Sequence, residues 1–275
     1  MTTAGLPAPA FEVFASLLKS RSGLVIGPDK LYLLETRLSS ILKQERLNDL
    51  AHLADRLRAP GNDALAKQVV EEMTTNETFF FRDDKPFVHF RGQALPQLHA
   101  KRAAAAPLRV WSAACSSGQE AYSVAMIITE SRGGIGDRRI EIVGTDLARN
   151  VVTRAREGLF SQFEVQRGLP VQMLMRHFSK DAAGWRIKDA LRAMVQFREW
   201  NLLGDLRPLG QFDVVFCRNV LIYFDMPTKT RALEAIAGQM APDGVLYLGG
   251  AETVLGVTGR FAPVAGERGV YALVA

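Results

Sequence analysis

The sequence predicts an α/β protein: a sheet domain with a small β-rich insertion, preceded by a small all-helical domain. Three observations carry that expectation. Leu108 to Ser123, followed by Arg139 to Asp146, reads as strand, helix and strand. Residues 212–225, Phe-Asp-Val-Val-Phe-Cys-Arg-Asn-Val-Leu-Ile-Tyr-Phe-Asp, open as a short apolar run that suits a buried parallel strand. Residues 10–75 instead carry apolar side chains at helical spacing.

The helical part comes first. Phe11, Phe14, Leu17 and Leu18 share one face, and Leu31, Leu34, Leu38 and Leu42 form a second stripe. Ala51 to Leu57 and Ala64 to Met73 give two more segments around the turn Pro60-Gly61-Asn62. Residues 1–75 are thus expected to form one helical domain. Residues 76–107 are expected as a linker, with a helix from Phe87 to Leu98 broken at Pro96 and an Ala-rich stretch at 103–106. The sheet domain is expected over 108–275. Its later strands lie at 212–218 and 244–251, and a helix at 227–240 stops before Pro242-Asp243-Gly244. Two short runs, around Phe261 and from Gly269 to Val274, suit a closing antiparallel hairpin. Between 157 and 200 the pattern changes. Gly168-Leu-Pro and Ala183-Gly-Trp punctuate it, and alternation appears in Trp185-Arg-Ile-Lys and Val195-Gln-Phe-Arg. This is too long for a simple connection, and is expected as an inserted β-rich subdomain with one helix near 170–177.

Composition narrows the class. The 275 residues suffice for one large or two modest domains, and 48% apolar content supports a buried core. No run approaches the ~20 apolar residues of a membrane span. Met1-Thr-Thr-Ala-Gly-Leu-Pro-Ala-Pro lacks the basic start and apolar core of a signal peptide. A cytoplasmic protein is expected, and Cys115 and Cys217 suit buried reduced thiols there. His52, His89, His99 and His177 pair with no cysteine at metal spacing, so no metal site is expected. The net charge of +5 suits an acidic partner surface. No basic tract interleaves with exposed aromatics, so nucleic acid is not the expected partner.

The strand ends carry the chemistry. In an open α/β sheet, ligands sit beyond the carboxyl ends of the strands. The strand from 212 stops at Arg218 and Asn219, and Tyr223 follows, so an arginine, an amide and a phenol arrive at a crevice. Leu108 to Cys115 is a strand, Gly118 permits a tight turn, and Glu120 to Glu130 is helical, with Ala121, Val124, Ala125 and Ile128 in register. The next strand ends at Asp146. This is a Rossmann-like βαβ unit whose second strand ends in the acid that holds ribose hydroxyls in nucleotide-like cofactors. The glycine spacing is not G-x-G-x-x-G, and a carboxylate at Glu120 would repel a pyrophosphate. A cofactor with an adenosine, no phosphate and a cationic sulfonium fits: S-adenosylmethionine (SAM). Just before the sheet, Asn76, Thr78 and Arg82 surround three consecutive aromatics, Phe79 to Phe81.

Asn76-Glu-Thr-Phe-Phe-Phe-Arg82, Ala113-Ala-Cys-Ser-Ser-Gly-Gln-Glu-Ala-Tyr-Ser123, Thr145-Asp-Leu147, Asn201-Leu-Leu203 and Phe216 to Asp225 together resemble the signature set of the chemotaxis receptor glutamate methyltransferases, the CheR family. The resemblance covers nearly the whole chain. It implies a Rossmann-like SAM-dependent methyltransferase domain behind a helical N-terminal domain. It also implies methylation of glutamate side chains on the cytoplasmic helical domains of chemoreceptors, with S-adenosylhomocysteine as product. By the resemblance, Asp146 holds the ribose, Glu120 lies by the methionine moiety, and Asn201 and Leu202 border the adenine. Asn76, Thr78 and Arg82 close over the cofactor, with Arg82 near the methionine carboxylate or the reacting centre. Arg218, Asn219 and Tyr223 line the floor where the acceptor enters, and Arg218 is the candidate for orienting its carboxylate. Arg82, Arg218 and Tyr223 are the expected catalytic set, and Arg82, Arg218 and Asn219 are also expected in the cofactor shell. The family often has Glu at Gln119 and Pro at Ala121; neither change removes a group assigned to chemistry.

A glutamate acceptor is ionised at neutral pH and needs no general base, which agrees with the lack of a His-Asp or Cys-His pair. Some family members dock a receptor pentapeptide on the β-subdomain and carry a short glycine-containing insertion there. The compact run Phe178 to Trp185 lacks it, so no tether is expected. A monomer without membrane insertion is expected. In the helical domain, Lys30 and Arg37 share a face and are expected to steer acidic receptor helices. Two rivals remain on this fold: a non-enzymatic SAM or nucleotide sensor and a nucleic-acid N-methyltransferase. The retention of Arg82, Arg218 and Tyr223 argues against the first. The second class commonly has two prolines where this chain reads Asn219-Val-Leu-Ile-Tyr223.

Overall fold

A computed structural model describes residues 6–103, 106–136 and 138–274. Residues 104 and 105 of the Ala-rich stretch, and the first five residues of the N-terminal segment, lie outside the described residues. The chain divides into two units: one runs to Thr75 and includes Tyr223–Thr228, the other comprises Asn76–Ile222 and the chain from Lys229.

The first unit is helical: α1 Ala8–Ser22, α2 Leu31–Arg37, α3 Ser39–Gln44, α4 Leu50–Arg58 and α5 Asp63–Met73. Gly23, at φ 76°, ends α1 in the left-handed region, and its N–H closes on the Lys19 carbonyl. Asp49 caps α4 by accepting the His52 N–H at 2.9 Å. Phe14 and Leu18 of the first stripe are fully buried, as are Leu34 and Leu38 of the second. The second stripe differs at its end. The helix is interrupted at Leu38, which rotates the following turn, so Ile41 rather than Leu42 completes the buried row. The basic face differs too. Arg37 donates to the carbonyls of Met73 and Thr74, at 2.6 and 3.0 Å, and to the Thr75 hydroxyl at 3.0 Å. It closes the C-terminus of α5 instead of standing in water beside Lys30. Among the described residues, exposed Lys30, Lys43 and Arg46 have no side-chain partner.

The second unit opens with α6 Lys85–His89, a π-turn over Phe90–Ala94 and α7 Leu95–Lys101. The expected break at Pro96 is absent. Proline lacks an N–H, and its ring conflicts with the carbonyl four residues back. A wider π-turn just before it absorbs that conflict, and the helix continues.

The elements that follow are β1 Leu108–Ala113, α8 Gln119–Glu130, α9 Arg132–Ile135, β2 Ile140–Asp146, α10 Arg149–Glu157, β3 Leu159–Phe160, α11 Gln162–Gln166, α12 Val171–His177, β4 Phe178–Asp181, β5 Gly184–Ile187, α13 Asp189–Arg192, β6 Val195–Glu199, β7 Phe212–Cys217, α14 Met226–Ala237, β8 Met240–Leu248, β9 Phe261–Pro263 and β10 Val270–Leu273. The main sheet has the order β6-β2-β1-β7-β8-β10-β9. Its pairs from β6 to β8 are parallel; β10 runs antiparallel to β8 and β9, the expected hairpin. Val110, Ile142, Val214 and Phe216 of the sheet share one core with α8 and with Phe87, Phe90 and Leu95.

Two boundaries move. Residues 195–199 alternate like the insertion but pair in parallel with β2 as the edge of the main sheet. An edge strand covered on one face alternates as an insertion strand does, with Val195 and Phe197 inside. The Pro242-Asp243-Gly244 run is not a turn before a strand but part of β8. Phe212 pairs with Met240 while Val214 pairs with Val245, so the extra residues bulge out of the ladder. A proline is tolerated at such an irregularity because no ladder bond requires its N–H.

The insertion is a three-stranded antiparallel sheet, β3-β5-β4, with three short helices instead of one. A capping box of Ser161 and Glu164 starts α11. Phe80 packs edge-on against Phe160 and Phe178 of the insertion, with centroids 5.0 and 5.6 Å apart. Gly168, at φ +82°, lets the Phe80 carbonyl approach so closely that a Cβ would overlap it. Gly168→Ala is therefore expected to destabilise the unit by about 1–3 kcal/mol. Calorimetry should register a lower Tm; an unchanged Tm would mean that this contact does not hold the Asn76–Arg82 segment.

Candidate active site

Strand β1 lies between β2 and β7, so the crossovers leave it in opposite directions, and their carboxyl ends frame the crevice of a topological switch point. Beyond β1 the chain turns sharply. Ala114 and Ser116 adopt φ of 57° and 50°, and Gly118 at φ 93° begins α8. A Cβ on Gly118 would lie 3.0 Å from the Ala155 Cβ and the Phe197 Cζ, so glycine is required for this close turn.

Asp146 ends β2 and organises that turn. Its Oδ2 accepts the Ser116 N–H at 2.8 Å, and its Oδ1 accepts the Ala148 N–H at 3.0 Å. The Ser116 hydroxyl donates to the Asn76 carbonyl at 2.8 Å, which brings the segment before the sheet to the same place. The Trp200 N–H donates to the Asp146 carbonyl at 2.8 Å. That bond sets the Asn201–Leu202 turn beside β2, and Asn201 Oδ1 accepts the Leu203 N–H at 2.9 Å. Asp146 and Asn76 thus meet at Ser116, and Trp200 carries the start of the Asn201–Leu202 turn to the end of β2. Thr78 is half-buried nearby in sequence.

A second cluster centres on Arg218. Its side chain is 1% exposed. Nη1 donates to Glu120 Oε2 at 2.9 Å, while Nη2 donates to Asp83 Oδ2 at 2.7 Å and to the Arg82 carbonyl at 2.6 Å. The Ser112 hydroxyl donates to the other Glu120 oxygen at 2.7 Å. The guanidinium sits 5.5 Å from the Phe87 ring centroid. Asp83 and Asp84 hold left-handed φ values of 65° and 42°; such non-glycine strain concentrates at functional sites. Two of the guanidinium nitrogens of Arg218, the residue expected to orient an acceptor, are thus tied to Glu120 and the Arg82–Asp83 turn.

Arg82 joins the cluster through its carbonyl only. Its guanidinium folds back, donating to the Glu77 carbonyl at 2.8 Å and lying 5.5 Å from the Phe79 centroid. Asn219, at φ 60°, follows Arg218 directly. Tyr223 belongs to the helical unit, where its carbonyl accepts the Val25 N–H at 3.0 Å. Sequence reasoning missed Ser112, Asp83 and Glu252. The first two sit beside recognised motifs. Glu252 follows the end of β8, as Asp146 ends β2, and that position was its available signal.

Burial pushes the Cys115 and Cys217 thiols well above their ordinary pKa, and nearby carboxylates add to the shift. Both stay protonated at neutral pH, so neither acts as a thiolate nucleophile. Among the described residues no group of three or more His, Cys, Asp or Glu side chains is placed to hold a metal ion. Among the same residues, no helix is long and apolar enough to cross a membrane.

The donor set fits SAM. A carboxylate at the end of β2, Asp146, and one in the first turn of α8, Glu120, suit ribose hydroxyls and a cationic amino-acid moiety. Arg218 Nε is a buried N–H without a partner among the described residues, which suits a negatively charged ligand group.

Two family models match the chain: "CheR methyltransferase, all-alpha domain" over residues 9–74 and "CheR methyltransferase, SAM binding domain" over residues 76–270. The chain is 38% identical to "Chemotaxis protein methyltransferase Cher2" of Pseudomonas putida, over 94% of this chain and 96% of that protein. It is 41% identical to "Chemotaxis protein methyltransferase 1" of Pseudomonas aeruginosa, over 89% and 90%. It is 36% identical to the Vibrio cholerae protein of the same name, over 98% of both. With its carboxylates Asp146 and Glu120, its buried Arg218 and these matches along nearly all of its length, the chain belongs to the CheR family of SAM-dependent methyltransferases.

Proposed function

We propose that this enzyme methylates glutamate side chains on the cytoplasmic helical domains of chemoreceptors, giving glutamate methyl esters and S-adenosylhomocysteine. The observation that carries this reading is the Arg218–Glu120–Asp83 cluster at the carboxyl side of the sheet that Asp146 also borders. When bound, SAM supplies a methyl group on a sulfonium sulfur, already an activated leaving group. Asp146 holds the ribose, and Asn201 and Leu202 border the adenine. Glu120, fixed by Ser112 and Arg218, faces the methionine moiety. Asn76 and Thr78 close over it, with Arg82 clamping its own loop. Arg218 and Asn219 stand on the acceptor side, and the family resemblance assigns Tyr223 a role in transfer as well.

An ionised glutamate oxygen forms the new bond to carbon without losing a proton. The protein's contribution is therefore to align the acceptor and to strip it of water. Opposite charges are neutralised as the ester forms, so a dry site favours progress. No resident metal takes part in this reading.

The enzyme acts in the cytoplasm as a monomer on membrane-bound receptors, without nucleic acid or membrane insertion of its own. Residues 1–75 form the helical domain, 76–107 the linker and 108–275 the catalytic domain, with the insertion from 157 ending before β6. Exposed Lys30 and Lys43 remain available to acidic receptor helices.

Incubating the enzyme with methyl-labelled SAM and receptor-containing membranes should give label that is released by mild base. Absence of transfer, or base-stable label, would reject the reading. The hairpin of β4 and β5 closes by a two-residue turn, with Asp181 Oδ1 accepting the Ala183 N–H at 3.0 Å. This compact turn supports the reading that the enzyme needs no receptor pentapeptide tether. Titration with such a peptide should show no binding at micromolar concentration; a clear isotherm would overturn that part of the reading.

A further inference from the structure

We infer that Glu252 is a positioning residue for methyl transfer, holding the loop that follows β7 so that Arg218 and Asn219 keep their reactive placement. This inference rests on the functional reading above.

The carboxylate of Glu252 gathers the backbone at the ends of two neighbouring parallel strands. Oε2 accepts the N–H groups of Asn219 and Gly249, at 2.8 and 2.7 Å. Oε1 accepts the N–H groups of Val220 and Ile222, at 2.9 and 3.3 Å. Glu252 is 9% exposed, so these charge-assisted bonds form largely out of water. Nothing in a sheet needs a carboxylate here to finish a strand. What it satisfies is an irregular loop whose first residue, Asn219, is left-handed at φ 60° and follows Arg218 immediately.

Gly249 completes the device. A Cβ there would stand 2.7 Å from Glu252 Oε2 and 2.8 Å from Asn219 Nδ2. The loop is thus drawn so close to β8 that only glycine fits between them. Glu252 reaches the chemistry through Asn219 and Arg218, and Asp146 and its loop lie on the other side of β1. Its loss should therefore act on transfer rather than on cofactor capture.

Glu252→Gln replaces one acceptor oxygen with an NH2 group that faces two N–H donors. The expected result is unchanged affinity for S-adenosylhomocysteine by calorimetry and unchanged KM for SAM, with kcat on receptor reduced at least about tenfold, since small misplacements at a reacting centre are that costly. Equal kcat in variant and wild type, or parallel loss of cofactor affinity and kcat, would overturn the inference. If Glu252→Gln does not fold, Gly249→Ala decides the matter. It displaces the same loop from the other side and should show the same selective loss of kcat; retained kcat in that variant overturns the inference. Wild-type enzyme that fails to methylate receptors would instead refute the functional reading itself.

Discussion

Arg218→Ala is expected to reduce methyl transfer by about two orders of magnitude, the scale on which displaced catalytic groups act. It is also expected to destabilise the protein by about 3–5 kcal/mol, because it leaves a buried charge without its partner. The guanidinium is 1% exposed and the Glu120 side chain 11%, so both have left water. Without Arg218, Glu120 keeps only the Ser112 hydroxyl as a partner among the described residues. The strained Arg82–Asp83 turn also loses two of its ties. Arg218→Lys should fall between wild type and alanine. A single ammonium keeps the charge but cannot reproduce a planar fork reaching Glu120, Asp83 and a carbonyl together. Single-turnover transfer and calorimetric unfolding measure the two effects separately. Full transfer by the alanine variant would remove Arg218 from the active site.

Asp146→Ala should weaken binding of SAM and S-adenosylhomocysteine by about 3 kcal/mol or more, since bonds to a charged acceptor contribute about 1.5–3 kcal/mol each. That corresponds to at least about a hundredfold in affinity. The structure adds a second cause. Asp146 also anchors the N–H groups of Ser116 and Ala148, so the variant loosens the turn between β1 and α8. Asp146→Asn should also bind weakly, because one of its ends would present N–H to N–H. Titration with S-adenosylhomocysteine reads the result directly, and unchanged affinity in the alanine variant would take Asp146 out of the cofactor shell.

How far the residues foretold the molecule depends on the range of the forces involved. The βαβ unit was legible because Leu108 to Asp146 carries strand and helix periodicity within one local stretch. The placement of its acids was legible too, since Asp146 ends β2 and Glu120 lies in the first turn of α8. β6 was misplaced because alternation reports one covered face and cannot say which sheet supplies the partner. Pro242 was read as punctuation, yet a bulge against β7 lets it sit inside a strand. Arg37 was read as a surface cation because the carbonyls it meets, at Met73 and Thr74, lie 36 and 37 residues away. The position of Glu252 after a strand end is legible, but its partners are not: its donors at 219–222 come from another strand's end, and only the parallel pairing of β7 and β8 brings them within reach.

The central claim, methyl transfer to receptor glutamates, is tested most directly by mass spectrometry of receptor peptides after incubation with this enzyme and SAM. Methyl groups are expected on glutamate side chains of the receptor's cytoplasmic helices, lost on mild base treatment and absent with the Arg218→Ala variant. Methylation confined to nitrogen atoms or to other proteins, or no methylation by an enzyme that demonstrably binds SAM, would contradict it.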